Sequence, residues 1–240
     1  MAQKLTSATI QRRIASLSQI FKLTAVPNIT KEPEVLLALK KINRRLGRSQ
    51  KQATPLTLKV MRKLQAMCDD GIVGLRNCLL LQLGYESMRR RSEICAFKFD
   101  DVKALPNGKH ALLLRKSKTD QFGEGKLIPI SDELIEMISH WQDKIKQTDG
   151  YILRSFKRDL SVRKSLDPAA LNKILKLIQR KAKLHNIGEL SGHSFRVGAA
   201  INLLDRGVPF ERIMLRGGWK SEKTALRYLR NWDDSDWLLI

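Results

Sequence analysis

The sequence predicts a mostly α, α+β fold, in which a helical domain with one small antiparallel sheet follows a short helical arm. Three observations lead to this prediction. Apolar residues recur at helical spacing over much of the 240 residues. Two short apolar runs flank a turn that contains two glycines, and a polar stretch at 47–54 separates the first helices from the rest. We therefore expect two parts, residues 1–53 and residues 54–240.

The arm, residues 1–53, is predicted to hold two amphipathic helices. One apolar stripe runs through 9–24 and a second through 35–46, with prolines between them. Eleven basic residues against two acidic ones give the arm a net charge of +9. Two short helices form a weak independent core, so the arm is better suited to lie along a polyanion than to fold as a separate domain.

The second part begins with a helix-start signal, since Thr54 is able to cap a helix and Pro55 suits its first turn. Helices are predicted at 55–69 and 75–88, strands at 111–116 and 126–130, and further helices from Ser131, from Asp167-Pro168 and over 192–230. The segment SKTDQFGEG joins the two strands as a hairpin turn. Helices mixed with one small sheet indicate an α+β domain.

Composition indicates a nucleic-acid partner. The net charge of +21 suits a polyphosphate, because each neutralised phosphate releases counterions; the alternative, charge that only maintains solubility, needs far less. No apolar run approaches a membrane span, and the N-terminus lacks a signal-peptide core, so we expect a cytoplasmic, nucleoid-associated protein. The three cysteines are expected to be reduced, and the four histidines lack metal-ligand spacing.

The segment 191–232 places groups that suit phosphate chemistry close together. Cleaving a phosphodiester requires a nucleophile, fixed positive charges around the phosphorus and an acid for the leaving oxygen. His193 and Arg196 are three residues apart on a predicted helix that Ser191 caps, so they share a face near its positive end. Gly217-Gly218-Trp219 follows, and Tyr228 comes nine residues after Trp219.

In this segment the sequence resembles the tyrosine recombinase (phage integrase) family, and its Cre-like members in particular. The shared features are the run S-G-H-S-x-R-V-G-A-A, the G-G-W and the tyrosine before R-N. The family's R-x-S-E pattern falls on Arg90 and Glu93, by the three-residue step between them, with the flanking Arg89 and Arg91 as alternatives to Arg90. Its hairpin lysine falls on Lys118, with Lys116 as the less favoured choice. The resemblance covers about residues 55–232.

The resemblance implies a mechanism. Tyr228 attacks a DNA phosphate to form a 3′-phosphotyrosine bond, while Arg90 and Arg196 hold the non-bridging oxygens. His193 bonds the phosphate or accepts the tyrosine proton, and Lys118 protonates the leaving 5′ oxygen. No metal and no cofactor are implied.

Six further residues complete the predicted site. Trp219 replaces a second histidine found in many family members and is able to donate one hydrogen bond. Glu93 is expected to orient His193 or an arginine. The residues predicted to bind DNA outside the catalytic set are Arg44, Arg45, Lys51 and Lys116.

Assembly is also predicted from the resemblance. The apolar segment from Trp237 to Ile240, after Asp233, Asp234 and Ser235, is expected to dock onto a neighbouring subunit, giving a tetramer on double-stranded DNA with inverted half-sites. The family's helical domain before the catalytic one is fuller than this arm.

Two alternative functions remain open at this point. One is a DNA-binding accessory protein or repressor, derived from an integrase, that does not cut. The other uses the same chemistry without a specific site, as a type IB topoisomerase or a telomere resolvase.

Overall fold

The structure, a computed structural model, describes residues 5–47, 52–117 and 125–229, without the side chains of 227–229. The chain divides into two compact units, Met1–Gln52 (the small unit) and Ala53–Ile240 (the large unit). The described residues form helices and one three-stranded antiparallel sheet, so the predicted fold class is confirmed. No helix in these ranges is long and apolar enough to cross a membrane.

The small unit is a pair of helices joined through a short 3-10 turn. Helix α1 is Ser7–Leu23 and begins after Thr6, whose hydroxyl accepts a hydrogen bond from the Thr9 N–H at 3.3 Å. Helix α2 is Pro33–Leu46, with its proline in the first turn. The Asn43 side-chain oxygen accepts hydrogen bonds from Ser7 and Gln11 and so joins α2 to the start of α1.

The apolar stripes of the small unit remain largely uncovered. The residues that are buried within its described range are Ser7, Thr30 and Asn43, and all three are polar. Its exposed large apolar side chains are Leu17, Ile20, Leu23, Val26, Ile29, Leu36, Leu37 and Leu46. The two predicted helices therefore exist, but the described part of the small unit has no buried apolar core.

The large unit contains the remaining described elements. Its helices are α3 (Leu58–Gln65), α4 (Ile72–Ser87), α5 (Arg91–Ala96), α6 (Asp132–Ile145), α7 (Pro168–Lys181), α8 (Gly192–Asp205), α9 (Phe210–Gly217) and α10 (Glu222–Leu229). Its strands are β1 (Val102–Ala104), β2 (His110–Leu114) and β3 (Lys126–Ile130). The predicted starts of α6 and α7 are confirmed, because Ser131 and Asp167 accept hydrogen bonds from N–H groups of the first turns.

The sheet has one strand more than the sequence predicts. The strands pair antiparallel in the order β1-β2-β3, with Ala111 opposite Pro129 in the predicted hairpin. Strand β2 ends at Leu114, two residues before its predicted end. Strand β1 was missed because it has three residues, of which only the first is partly buried, and so it shows no alternation that a sequence pattern could detect.

Helix α3 begins at Leu58 rather than at Pro55, and Thr57 rather than Thr54 is its N-cap. The reason lies in packing against α8. The Leu56 N–H donates to the Ser194 carbonyl at 3.0 Å, and the Leu56 side chain is fully buried. This long-range pairing keeps the residues before Thr57 extended, which a local helix-start signal does not reveal.

Helix α4 lies at the centre of the core. Leu79, Leu80, Leu81 and Leu83 are all fully buried, so apolar residues surround the helix instead of forming one stripe. A smaller apolar cluster, which includes Val197, Ile213 and Trp219, lies between α8 and α9. Helix α8 therefore contacts both clusters, and the residues at its N-terminal end have a rigid support.

Candidate functional site

The turn before α5 positions Arg90. Arg90 is the N-cap residue of α5, and its Nη1 lies 2.8 Å from Glu93 Oε1. The Glu93 Oε2 accepts the Arg90 backbone N–H at 3.1 Å. Glu93 is buried, whereas Arg90 is about one-third exposed. Glu93 thus fixes both the backbone and the guanidinium of Arg90, while leaving part of the guanidinium accessible.

The first turns of α8 hold His193 and Arg196. The Ser191 N–H donates to the Ser194 hydroxyl at 3.0 Å, which closes the start of the helix. Arg196 is buried, with its Nη2 donating to the Gly217 carbonyl at 2.8 Å. The predicted sharing of one helix face by His193 and Arg196 places a histidine next to a fixed positive charge.

Small residues allow α8 to approach its neighbours. A Cβ on Gly198 would lie 1.9 Å from the Leu56 carbonyl oxygen, and one on Gly192 would lie 2.8 Å from the Arg91 Cβ. Both distances are shorter than any tolerable contact. Gly192 and Gly198 therefore serve packing, and this packing sets the position of His193 and Arg196, which lie between them.

Gly217-Gly218-Trp219 forms a tight turn at the end of α9. Gly218 has a φ of +67°, in the left-handed region that favours glycine. A Cβ on Gly217 would lie 2.2 Å from the Trp219 ring, so the ring folds back over this position. The Arg196 Cζ lies 5.0 Å from the centroid of that ring, a cation–π distance. Trp219 therefore packs under Arg196.

Electrostatics in this region keep His193 neutral. Its burial, and then the charges of Arg196 and Arg90, lower the pKa of His193 to about 4. A neutral imidazole at physiological pH has one nitrogen able to accept a proton and one able to donate a hydrogen bond. Because both arginines lower this pKa, Arg90, His193 and Arg196 are close enough to interact electrostatically.

A surface groove of about 260 Å³ lies at this point. Its lining residues are Arg90, Arg91, Asn172, Ser191, Gly192 and His193. The Asn172 side chain accepts the Gly192 N–H at 2.9 Å and so joins α7 to the start of α8. Within the described part of the chain, no group of three or more histidine, cysteine or acidic side chains is arranged to hold a metal ion.

Other predicted residues are not among those that line this groove, and some of them are outside the described residues. The backbone of Tyr228 is part of α10, and its side chain is outside the described residues. Lys118 and Lys51 also lie outside the described residues, as does the predicted docking segment from Trp237 to Ile240. Arg44 and Arg45 are exposed near the end of α2, and Lys116 is exposed two residues after β2.

The role of Arg89 has no local sequence pattern. This arginine is buried, its Nε donates to the Ser87 carbonyl at 2.9 Å, and its Nη2 donates to the Arg216 carbonyl. Burial lowers its pKa to about 10, so it stays charged at neutral pH. Arg89 and Arg90 are neighbours in a run of three arginines, but only Arg89 is described as donating to a carbonyl of α9. This helix is distant in the sequence, so local spacing does not indicate the contact.

A helical domain in which a groove is lined by Arg90 and by a neutral histidine, with the buried Arg196 acting on the same histidine, has the features of an anion site, suited to phosphate. The chain belongs to the phage integrase family, whose model matches residues 55–234.

Relatives of known name agree with this assignment. The chain is 26% identical to the integrase/recombinase XerD homolog of Selenomonas ruminantium over 95% of this chain and 70% of the relative. It is 23% identical to the recombinase Cre of Escherichia phage P1 over 100% of this chain and 75% of that protein.

Solved structures of integrases share the fold. The transposon Tn1549 integrase in complex with transposon right end DNA matches with a TM-score of 0.68 at 14% identity, over 94% of this chain and 76% of that one. The lambda integrase bound to DNA matches with a TM-score of 0.62 at 18% identity, over 95% and 77%.

Proposed function

We propose that this protein is a site-specific tyrosine recombinase, which cleaves and rejoins DNA through a 3′-phosphotyrosine intermediate on Tyr228. The observation that carries the proposal is that Arg90 and His193 line one groove and that the charges of Arg196 and Arg90 both lower the pKa of His193. Membership of the phage integrase family supports the same reaction class.

The proposed chemistry divides among five side chains. Arg90 and Arg196 bind the non-bridging oxygens of the scissile phosphate through their planar guanidinium groups. His193, which is neutral, accepts the Tyr228 proton or donates a hydrogen bond to the phosphate. Tyr228 forms the phosphotyrosine bond, and Lys118 protonates the 5′ oxygen as it leaves. The later attack of a 5′ hydroxyl on the phosphotyrosine reverses these steps and joins the strands.

Trp219 and Glu93 hold the two arginines in this scheme. Trp219 packs under the Arg196 guanidinium, and Glu93 bonds the Arg90 guanidinium at 2.8 Å. Each contact limits the rotation of an arginine. Both residues therefore act on phosphate binding through the arginines.

The proposed partner is double-stranded DNA that carries inverted half-sites. A net charge of +21 supports this partner, and two similar solved structures are integrases in complexes with DNA. We assign phosphate contacts to Arg44, Arg45, Lys51 and Lys116. The proposed division of labour is a basic arm at 1–53 and a catalytic domain at 54–240, acting as a tetramer in which the segment Trp237–Ile240 docks onto a neighbouring subunit.

Covalent trapping tests the proposal. The protein and its Tyr228→Phe variant are each incubated with nicked or half-site DNA from around the gene, then separated on a denaturing gel. We expect a slowly migrating protein–DNA adduct for the wild type and none for Tyr228→Phe, with equal DNA binding by both. Tyr151→Phe is the matched control, because it removes a phenol hydroxyl from the same domain outside the groove, and it should form the adduct as the wild type does.

Two outcomes would reject the proposal in different ways. DNA binding without an adduct in any protein would favour an accessory protein or repressor that does not cut. An adduct accompanied by relaxation of supercoiled DNA of any sequence would favour a topoisomerase instead of a site-specific recombinase.

A further inference from the structure

Three successive backbone carbonyls at the end of α9 each accept a hydrogen bond from a different basic side chain. Lys126 Nζ donates to the Leu215 carbonyl, Arg89 Nη2 to the Arg216 carbonyl, and Arg196 Nη2 to the Gly217 carbonyl. The three donors come from β3, from the turn after α4 and from α8. The last turn of α9 is therefore connected to three separate elements of the large unit.

The connections have a simple electrostatic basis. The last carbonyls of a helix lack partners within the helix and carry its negative dipole end, so cations are favourable there. The Arg216 side chain adds a connection in the other direction, with its Nη2 donating to the carbonyls of Glu86 and Pro129 at 3.0 and 3.1 Å. The turn is thus held by its backbone and by its own side chain.

The Arg89 side chain is bonded to backbone through two of its nitrogens. It is buried, its Nε donates to the Ser87 carbonyl and its Nη2 donates to the Arg216 carbonyl. Its Nη1 lies 2.7 Å from the place where a Cβ on Gly218 would be, directly before Trp219. Arg89 therefore contacts the turn from inside the protein, next to the residue that packs under Arg196.

We propose that Arg89 is a positioning residue, which holds the Gly217-Gly218-Trp219 turn so that Trp219 supports Arg196 in its phosphate-binding orientation. This inference rests on the proposed function. Arg89 acts through the turn and does not touch the DNA. Its loss releases the Arg216 carbonyl, lets the turn move and leaves Arg196 without a fixed ring beneath it.

The test compares three variants in single-turnover cleavage of half-site DNA. Arg89→Met removes the guanidinium and keeps an unbranched side chain, and Arg89→Lys keeps one charged donor. Arg212→Met is the matched control, because it removes an exposed arginine from α9, the helix whose end Arg89 contacts. We expect Arg89→Met to lower the rate at saturating DNA by roughly 10- to 100-fold, because small misplacements of catalytic groups have effects of that size. Arg89→Lys should recover part of the rate, and Arg212→Met should cleave at the wild-type rate.

A role in folding alone would give a different result. It would lower the fraction of protein that reacts, with the rate of the reacting fraction unchanged. The DNA concentration at half-maximal rate should stay within about threefold in Arg89→Met, because an interaction made only in the transition state changes the rate without changing ground-state binding. Wild-type rates in Arg89→Met, or a loss confined to the reacting fraction, would overturn the proposal.

Hydrogen exchange supplies a readout that does not depend on cleavage. Amides from Met214 to Ser221 should lose protection in Arg89→Met, while those from Leu79 to Leu83 in the central helix keep it. If the wild type forms no adduct, the proposed function fails, and the exchange result still decides whether Arg89 holds the turn. Unchanged exchange over Met214–Ser221 would show that it does not.

Discussion

The small and large units differ in what they do with their basic residues. In the described part of the small unit every Lys and Arg is exposed. Among the described residues of the large unit four arginines are buried, and each donates to a backbone carbonyl; these are Arg76, Arg89, Arg154 and Arg196. Positive charge thus faces solvent in the small unit, whereas the large unit has exposed basic residues and also buried arginines that hold the main chain in place.

The same contrast holds for apolar residues. The large unit buries leucines on all sides of α4, whereas the small unit leaves Leu36 and Leu37 about half exposed. Stability should therefore depend on the packing of the large unit, and DNA affinity should depend strongly on the charge of the small one. Each prediction below tests one side of this comparison.

The largest expected effect is that of Gly198→Ala. A Cβ at this position would lie 1.9 Å from the Leu56 carbonyl oxygen, and backbone offers no easy relief. We expect a loss of about 4 kcal/mol or more in the free energy of unfolding, measured by urea denaturation. Gly84→Ala is the control, because its new Cβ meets the Phe195 ring at 2.8 Å, and a ring is able to shift. An equal effect of the two changes would contradict this account.

Removal of residues 1–52 should weaken DNA binding without unfolding the large unit. The lost charge leads us to expect affinity lower by roughly 100-fold at low salt, with a shallower dependence of log affinity on log salt. Fluorescence anisotropy at several salt concentrations measures this dependence. The midpoint of thermal unfolding should stay within about 3 °C of the wild-type value, because a change of about 1 kcal/mol in the free energy of unfolding shifts the midpoint of a domain of this size by about that much. A large drop in the midpoint would show that the small unit contributes to the core.

Gly218→Ala and Gly207→Ala separate backbone strain from the contact with Arg89. Both glycines have positive φ, +67° and +71°, but a Cβ on Gly207 meets nothing within 4 Å. We expect a cost of about 1–2 kcal/mol for Gly207→Ala from the left-handed backbone alone. Gly218→Ala should cost about 1 kcal/mol more because it displaces Arg89, and only this variant should slow cleavage. Equal cleavage rates in the two variants would argue against a role for the turn.

Acidification should destabilise the DNA-free protein through His193. Its pKa is about 4 in the folded protein, against an ordinary value of 6.5, so the unfolded chain binds more protons between these values. The free energy of unfolding should therefore fall as the pH drops from 7 to 4.5, by about 1 kcal/mol after allowance for partial solvent exposure. His193→Gln should remove this part of the pH dependence, and His185→Gln, an exposed control, should leave it. The same slope in all three proteins would contradict the assignment.

The smallest effect is expected for Leu37→Ala in the small unit. Its side chain is 54% exposed, and alanine favours the helix, so the main unfolding transition should change by less than about 0.5 kcal/mol. Leu80→Ala, at a fully buried position of α4, should cost about 2–5 kcal/mol. Calorimetry on both variants measures the contrast. A large effect of Leu37→Ala would reveal a covered apolar face in the small unit.

Local patterns in the sequence predicted much of the fold. Apolar periodicity located the helices, and capping residues such as Ser131 and Asp167 marked where two of them begin. The patterns failed where distant contacts decide the backbone. The bond from the Leu56 N–H to the Ser194 carbonyl delays the start of α3, and pairing with β2 forms the three-residue strand β1.

The candidate site was predictable to a similar degree. The spacing of His193 and Arg196 and the R-x-S-E pattern indicated three residues that interact electrostatically, and two of them, Arg90 and His193, line the groove. Spacing did not reveal Arg89, Lys126 and Arg216 around the end of α9, because their partners are backbone carbonyls of a helix far along the chain. Their roles follow from tertiary structure and leave no local pattern.

The low pKa of His193 has a consequence for what starts the proposed reaction. Arginines keep their charge at every physiological pH, and His193, with a pKa of about 4, carries none, so the charge of the unliganded groove does not change with cellular acidity. Proton concentration is therefore a poor signal for starting the reaction. If the proposed function holds, the signal that starts cleavage is one that leaves the charge of the groove unchanged, and the proposed assembly of subunits on DNA would be such a signal.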